Sequence, residues 1–178
     1  ARILGLDSNK RYILVSGGSM GAGKLVWAIK LLYDAFKNDG NTGLIVICGS
    51  NEWLYKQLSK RYADKITAVR YTDKMAEYMR LADVYVTKPG GLSSTEGAVL
   101  GVPIVHTLSI PGCETKNMRF FANNGMSVPV KKLSKELSSA TLGLRNGDKA
   151  AKMLSNQKKY INASAAEDIC KLAEEMTV

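Results

Sequence analysis

The chain has 178 residues, of which 46% are hydrophobic and 23% charged, a composition typical of one globular domain with a real core. The formal net charge is +9, which leaves nucleic acid, an anionic membrane surface or solvated helix faces as explanations. Cys48, Cys113 and Cys170 form no Cys-x-x-Cys pair, which argues against a disulfide scaffold and favours a reducing cytoplasm. No signal peptide opens the chain, and no apolar run approaches the ~18–20 residues that span a bilayer.

Strand and helix patterns alternate along the chain. Apolar, β-branched runs typical of buried parallel strands cover residues 11–16, 44–48, 66–71, 83–87, 103–107 and 127–130. Helices are predicted at 25–37, 52–62, 74–81, 94–100, 116–123, 134–142, 147–159 and 163–176. The alternation predicts an α/β fold with a doubly wound parallel sheet, and no linker or repeat divides it.

The first glycine loop follows the first predicted strand and contains Gly18 and Ser19. The segment from Gly18 to Lys24 matches a Walker A loop, but the next residue is Leu25, which has no hydroxyl to bind Mg²⁺. No later strand ends in the aspartate that would complete such a metal site. The sequence therefore argues against a P-loop nucleotide hydrolase.

The second glycine loop follows the fourth predicted strand and begins at Pro89-Gly90-Gly91. Ser93, Ser94 and Thr95 are N-cap candidates for the next helix. A strand, a glycine loop and a helix N-terminus together bind phosphate, because free N–H groups and the helix dipole face the loop. Glu96, expected in the first turn, can accept hydrogen bonds from a ribose diol. Taken alone, the loop also fits a connector whose glycines serve only tight packing.

Three segments, KPGGLSSTEGAVLGVPIV, PGCETKN and NNG, resemble the donor-binding signature of glycosyltransferases with the GT-B fold. The most similar families are monogalactosyldiacylglycerol synthases, processive diacylglycerol glucosyltransferases and the N-acetylglucosaminyltransferase of peptidoglycan precursor synthesis. The resemblance covers the chain from Val15 to about Asn124. It implies that residues 1–178 are one Rossmann-like half of a GT-B architecture, the C-terminal nucleotide-sugar domain, and that an N-terminal acceptor domain is absent from this chain.

The resemblance also implies a set of nucleotide-sugar-binding residues. The two glycine loops would contact the diphosphate and sugar, Tyr71-Thr72 would hold uracil, and Glu96 would bind the ribose hydroxyls. The loop residues are Gly18, Ser19, Gly90, Gly91, Leu92 and Ser93. An ordinary strand–helix turn at Tyr71-Thr72 and a helix-dipole carboxylate at Glu96 are the structural alternatives.

The sugar itself is less well determined by the resemblance. Cys113 and Glu114 fall where relatives carry a Gln-Glu or Gln-Gln pair that binds sugar hydroxyls. Glu114 fits that role, whereas Cys113 departs from the usual amide and leaves the choice of sugar open. Asn117 is expected at the start of the next helix, as a cap or as a residue that supports the site. His106, the only histidine, lies in a predicted buried strand and is expected to be a satisfied core residue.

The chemistry that the resemblance implies is transfer of a hexose from a UDP-sugar to an acceptor hydroxyl, that of a lipid, without metal or cofactor. No cluster of His, Cys, Asp or Glu has metal-ligand spacing. Helix N-termini would stabilise the departing diphosphate. The general base is unknown and is expected in the missing domain, so this domain alone should bind nucleotide without turnover.

The sequence leaves two alternative functions open, and its basic residues raise the question of a membrane partner. A nucleotide-sugar 2-epimerase shares the architecture, although a single buried histidine argues against it; a non-catalytic nucleotide-binding domain would fit the departure at Cys113. Basic residues on the predicted helices indicate solvated faces or a peripheral contact with an anionic membrane on its cytoplasmic side. No nucleic-acid-binding motif accompanies them.

Overall fold

The structure is a computed structural model that describes residues 1–17, 23–107, 112–145 and 147–176. The strands are β1 (Arg11–Ser16), β2 (Thr42–Gly49), β3 (Ile66–Arg70), β4 (Ala82–Thr87), β5 (Ile104–His106) and β6 (Val128–Pro129). The helices are α1 (Gly23–Phe36), α2 (Glu52–Arg61), α3 (Met75–Leu81), α4 (Gly91–Val99), α5 (Cys113–Asn123), α6 (Lys135–Arg145), α7 (Gly147–Tyr160) and α8 (Ala165–Glu175). A short 3₁₀ turn, Arg2–Leu4, precedes them.

The six strands form one parallel sheet in the order β3-β2-β1-β4-β5-β6. The chain builds outward from β1 to β3 and then returns to place β4 on the other side of β1. This order confirms the predicted doubly wound, Rossmann-like α/β fold. In open sheets of this kind, ligands bind beyond the carboxyl ends of the strands where the order reverses, which here is between β1 and β4.

Helices cover both faces of the sheet, and alternate residues of β1 pack into the cores on opposite faces. Ile13 and Val15 belong to the core shared with α1 and α6, whereas Tyr12 and Leu14 belong to the core shared with α3 and α4. Full burial of one aliphatic side chain contributes about 1.5–3 kcal/mol, so both faces favour apolar residues. This explains why the strands are continuous apolar runs rather than alternating ones.

The helices that follow the second glycine loop begin three residues earlier than predicted. The N-cap of α4 is Gly90, in extended backbone at φ −71° and ψ 147°. Ser93 and Ser94 therefore lie inside the helix, and the prediction that they or Thr95 cap it was wrong. Glycine supplied the extended residue that the N-cap needs, and both serine hydroxyls have partners on the sheet below.

The start of α5 differs from the prediction for a similar reason. Gly112 precedes the helix at φ +104°, a conformation that favours glycine, and the helix begins at Cys113. Asn117 is consequently in the second turn and does not open the helix. Its prediction as a cap was wrong, because the turn is made by backbone geometry rather than by a capping side chain.

Capping elsewhere follows the sequence more closely. Asn51, a residue type that favours the N-cap, caps α2, with its Oδ1 accepting a hydrogen bond from the Leu54 N–H at 2.9 Å. The N-cap of α3 is Lys74 and not Thr72 or Asp73, whose residue types would favour that position. Thr72 Oγ1 instead accepts from the Lys74 N–H at 3.0 Å and closes the turn before the helix.

The last helix, α8, is amphipathic, and none of its residues is buried in the part of the chain that the structure describes. Ile169, Leu172 and the C-cap residue Met176 are exposed along one side. Among the described residues, no helix combines the length and the apolar character that a membrane span requires.

Candidate functional site

A pocket of about 280 Å³ opens at the carboxyl edge of the sheet, beside the reversal between β1 and β4. The residues around it come from four strand ends and two helices: Ser16, Ile47, Gly49, Tyr71, Thr72, Met75, Tyr85 and Ser93. The structure thus brings together three residues that the sequence predicted for one site, Tyr71, Thr72 and Ser93. The fold places them at the edge where doubly wound sheets bind ligands.

Hydroxyl groups form the buried end of this pocket. The Tyr85 hydroxyl lies 2.6 Å from Ser16 Oγ, which is 3.3 Å from Thr87 Oγ1. The Ser93 hydroxyl is also within hydrogen-bonding reach of Tyr85. Burial raises the pKa of the Tyr85 phenol, so the hydroxyl is neutral and can donate or accept a hydrogen bond. Sequence analysis predicted that Tyr85 is buried in a strand but missed that its hydroxyl reaches the site.

Contacts with α2 hold the end of β3, where the pocket begins. The Arg70 guanidinium lies 3.7 Å from the centroid of the Tyr55 ring, and its Nε is 2.6 Å from Glu52 Oε1. Both members of the ion pair are about half exposed, so the pair contributes only about 0–1 kcal/mol. Its effect is to orient the strand end immediately before Tyr71 and Thr72.

Glu96 lies in a neighbouring hollow of about 440 Å³ between α3 and α4, which shares Met75 with the first pocket. Its carboxylate is exposed and stands in the second turn of α4, because that helix begins at Gly91. The prediction of a first-turn position was therefore wrong. The helix dipole stabilises carboxylates mainly within the first turn. Interaction with the dipole therefore explains the presence of Glu96 less well than the sequence suggested. Met75 is a residue that sequence analysis missed.

The first three backbone N–H groups of α4 have no hydrogen-bond partner among the described residues. The first helical hydrogen bond runs from the Ser94 N–H to the Gly90 carbonyl at 3.1 Å, so the N–H groups of residues 91–93 precede the helical ladder. A Cβ atom on Gly90 would meet no described atom within 4 Å, and one on Gly91 would meet only Asn117 Nδ2 at 3.7 Å. Tight packing against the described residues therefore does not explain these glycines. The space fits an anionic ligand on a helix N-terminus.

The second glycine loop is joined to α5 by two contacts. Lys88 Nζ lies 2.8 Å from Glu114 Oε1, and Asn117 Nδ2 donates to the Pro89 carbonyl at 3.3 Å. The ion pair is largely shielded, with 29% of the lysine side chain and 15% of the glutamate side chain exposed. Lys88 was also missed by sequence analysis. The signal that could have identified it is a lysine directly after a strand end and within the glycine motif.

His106 ends β5 beneath these loops and is fully buried. Its Nε2 lies 2.9 Å from Ser94 Oγ and its Nδ1 lies 2.9 Å from Ser127 Oγ. The rings of His106 and Phe121 pack edge to face, with their centroids 5.4 Å apart. Burial lowers the pKa of His106 to about 4, so the imidazole is neutral. The prediction of a satisfied core histidine is confirmed.

Part of the predicted site cannot be placed. Gly18 and Ser19, and the side chain of Cys113, lie outside the described residues. Within the described ranges, no group of three or more His, Cys, Asp and Glu side chains is arranged to hold a metal ion.

Comparisons with known proteins concern the family and the fold of this chain. Residues 12–172 match the family described as glycosyltransferase family 28 C-terminal domain. A processive diacylglycerol beta-glucosyltransferase of Bacillus pumilus (strain SAFR-032) is 32% identical over 180 residues, which cover 97% of this chain and 46% of that protein. Among solved structures, Acinetobacter baumannii MurG matches with a TM-score of 0.75 at 22% identity, over 96% of this chain and 51% of the other.

A further match concerns the alternative function. A putative UDP-N-acetylglucosamine 2-epimerase from Listeria monocytogenes matches with a TM-score of 0.73 at 16% identity, over 96% of this chain and 46% of the other. At such identities the solved structures show the fold alone. Because a transferase and a putative epimerase both match, the fold does not distinguish between the two functions. The chain spans about half the length of the curated relatives it matches.

Proposed function

This chain belongs to the family of glycosyltransferase family 28 C-terminal domains, and we propose that it binds the UDP-sugar donor of a transferase that adds a hexose to an acceptor hydroxyl. The observation that carries the proposal is the N-terminus of α4, whose first three N–H groups have no partner among the described residues and stand beside the pocket at the sheet reversal. A nucleotide diphosphate needs both an anion site and an adjoining base pocket. The described residues offer the two side by side.

The nucleoside occupies the two hollows that meet at Met75. The base enters the pocket of about 280 Å³ and takes backbone hydrogen bonds from Tyr71 and Thr72. The ribose lies across Met75, where the Glu96 carboxylate can accept hydrogen bonds from both hydroxyls. Glu96 is suited to this role because its carboxylate is exposed and faces a hollow rather than the core.

The diphosphate lies on the N-terminus of α4. The N–H groups of Gly91, Leu92 and Ser93 are directed there, and a helix N-terminus carries the equivalent of about half a positive charge. The first turn of α5 and Lys88 lie beside the same loop. Together these groups stabilise the negative charge that grows on the departing UDP as the glycosidic bond breaks.

The sugar extends toward α5. Glu114 stands in the first turn of that helix, and its ion pair with Lys88 holds the carboxylate beside the glycine loop. An anchored carboxylate can accept hydrogen bonds from sugar hydroxyls with little loss of side-chain freedom. Glu114 is therefore proposed to orient the transferred hexose.

The acceptor and the general base are assigned to the part of the longer protein outside this chain. The processive diacylglycerol glucosyltransferase relative suggests a lipid acceptor. Exposed basic side chains on α2 and α7 suit a peripheral position on the cytoplasmic, anionic face of a membrane: Lys56, Lys60, Arg61, Lys149, Lys152, Lys158 and Lys159. The domain alone is expected to bind its donor without turning it over.

The 2-epimerase alternative gains no support from the site. Such chemistry needs acids or histidines that reach the sugar, and His106, the only histidine of the chain, is enclosed between Ser94 and Ser127. The choice between a donor domain and a non-catalytic domain depends on whether the sugar contributes to binding.

Calorimetric titration of the chain with UDP, ADP, UDP-glucose, UDP-galactose and UDP-N-acetylglucosamine tests the proposal. UDP should bind, ADP should bind more weakly, and one UDP-hexose should bind differently from the others. No measurable binding of UDP would overturn the proposal. Equal affinities for all three UDP-sugars and UDP would favour the non-catalytic nucleotide-binding domain.

A further inference from the structure

We propose that His106 is a positioning residue of the donor site, which acts through Ser94 to hold the N-terminus of α4 where its N–H groups meet the diphosphate. The proposal rests on the proposed function and goes further, because His106 would touch neither nucleotide nor sugar. It assigns a binding role to a residue whose burial would otherwise suggest only packing.

The imidazole bridges two neighbours of β5. It bonds Ser94 of α4 through Nε2 and Ser127, just before β6, through Nδ1, both at 2.9 Å. All three side chains are buried, and Phe121 packs against the ring from α5. The position of the α4 N-terminus above the sheet is therefore fixed by a short chain of contacts to β5, which is paired on both sides.

Ser94 is well placed to transmit this constraint. Its own N–H makes the first hydrogen bond of α4, to the Gly90 carbonyl, so it immediately follows the three N–H groups offered to the ligand. A helical serine otherwise tends to turn its hydroxyl to the carbonyl four residues back, which bends helices. Because His106 engages the Ser94 hydroxyl, the Gly90 carbonyl keeps only its backbone partner among the described hydrogen bonds and the first turn stays regular.

The protonation state of the ring suits a fixed brace. A neutral imidazole has one N–H donor and one acceptor nitrogen, and a serine hydroxyl can serve as either partner. Both ring nitrogens are therefore satisfied at neutral pH, whichever tautomer is present. A phenylalanine of similar shape would fill the same space but would release both serines.

The matched pair Ser94→Ala and Ser127→Ala tests the proposal in the chain as it exists. Each removes one buried hydroxyl and one hydrogen bond from the same ring, so both should lower the melting temperature by similar amounts. Only Ser94→Ala loosens α4. We expect it to weaken UDP binding about five- to tenfold, the value of one hydrogen bond, while Ser127→Ala stays within about twofold of the unsubstituted chain.

Two further measurements separate positioning from stability. His106→Phe should weaken UDP binding as Ser94→Ala does, and the double variant should be no weaker than either alone, because the two residues act as one unit. In amide NMR spectra of the unliganded chain, the signals of Gly91 and Leu92 should move in Ser94→Ala and much less in Ser127→Ala. Should Ser94→Ala not fold, Ser94→Cys, with its weaker hydrogen bond, should follow the same order of affinities.

The outcomes distinguish this inference from the function on which it rests. If the unsubstituted chain binds UDP and Ser94→Ala binds it equally well, the positioning role is wrong and the proposed function stands. If Ser94→Ala and Ser127→Ala weaken UDP binding equally, His106 has only a structural role and the positioning role is wrong. Failure of the unsubstituted chain to bind UDP would overturn both proposals.

Discussion

Lys88 Nζ lies 2.8 Å from Glu114 Oε1, an ion pair that joins the loop after β4 to the first turn of α5. Because Asn117 also donates to the Pro89 carbonyl, the loop after β4 and the first two turns of α5 are joined at two points. Lys88 and the first turn of α5 therefore lie beside the N-terminus of α4. This arrangement holds the Glu114 carboxylate next to the second glycine loop.

The first prediction concerns this carboxylate. Glu114→Ala should weaken binding of the preferred UDP-hexose by about 1.5–3 kcal/mol, the loss expected for hydrogen bonds to a charged group, and should change UDP binding much less. Comparative titrations with UDP and the UDP-hexose measure this difference. Glu167→Ala, an exposed substitution on α8, is the control for loss of one negative charge. An equal loss for both ligands would place Glu114 away from the sugar.

The second prediction concerns the ribose. Glu96→Ala should weaken UDP binding by about 1.5–3 kcal/mol, and 2′-deoxy-UDP should lose less because it lacks one of the two hydroxyls. Folding should change by no more than about 0.5 kcal/mol, since the side chain is exposed. Thr95→Ala, at the neighbouring exposed position in the same hollow, is the control. Unchanged affinity of Glu96→Ala for UDP would remove Glu96 from the ribose site.

The third prediction concerns metals. UDP should bind this chain with the same affinity in EDTA and in Mg²⁺, because two helix N-termini and Lys88 supply the positive charge. Titrations in the two buffers at equal ionic strength test this. A collapse of affinity in EDTA would contradict the assignment to a metal-independent class.

The fourth prediction follows from the buried imidazole. The pKa of His106 is lowered to about 4 in the folded chain, against 6.5 for the free side chain. As the pH falls below 6.5, the histidine is therefore protonated in the unfolded chain but still neutral in the folded one. Stability should therefore be complete above pH 6.5 and fall as the pH drops toward 4, by a total on the order of 3 kcal/mol. Urea unfolding between pH 4 and 7 measures the slope.

His106→Phe is the control for this slope. Although it is less stable at pH 7, its stability should depend less on pH over the same interval. Asp39, whose pKa is lowered to about 2, contributes a loss of stability only below its usual pKa of 3.8, so it does not obscure the histidine. Parallel slopes for the variant and the original chain would mean that other groups titrate in this window.

The fifth prediction concerns the +9 charge. The chain should associate weakly with anionic vesicles and not with neutral ones, since each basic residue near an anionic surface contributes about 1 kcal/mol. Screening over a Debye length of about 8 Å at physiological salt should reduce the association sharply. Co-sedimentation at two salt concentrations tests this, and Lys149→Glu with Lys152→Glu probes the α7 face. Binding to neutral vesicles at high salt would instead indicate an apolar membrane contact.

The sequence by itself determined the order and type of the elements. β1 was predicted at its observed bounds. A strand buried on both faces is a continuous run of apolar residues, and the residues on either side of β1 are polar or glycine. The glycine motifs likewise mark the ends of β1 and β4, the two strands beside the reversal of the sheet order. These properties are local, so they can be inferred from neighbouring residues alone.

Helix starts and side-chain partners were decided by the tertiary structure. α4 and α5 begin after Gly90 and Gly112, which have no side chain to signal a cap. The contacts of Ser94 with His106 and of Ser16 with Tyr85 join residues 12 and 69 positions apart. Such pairs form only once the strand order places β1 beside β4 and β4 beside β5. That order depends on the packing of strands and helices from the whole chain and not on neighbouring residues alone.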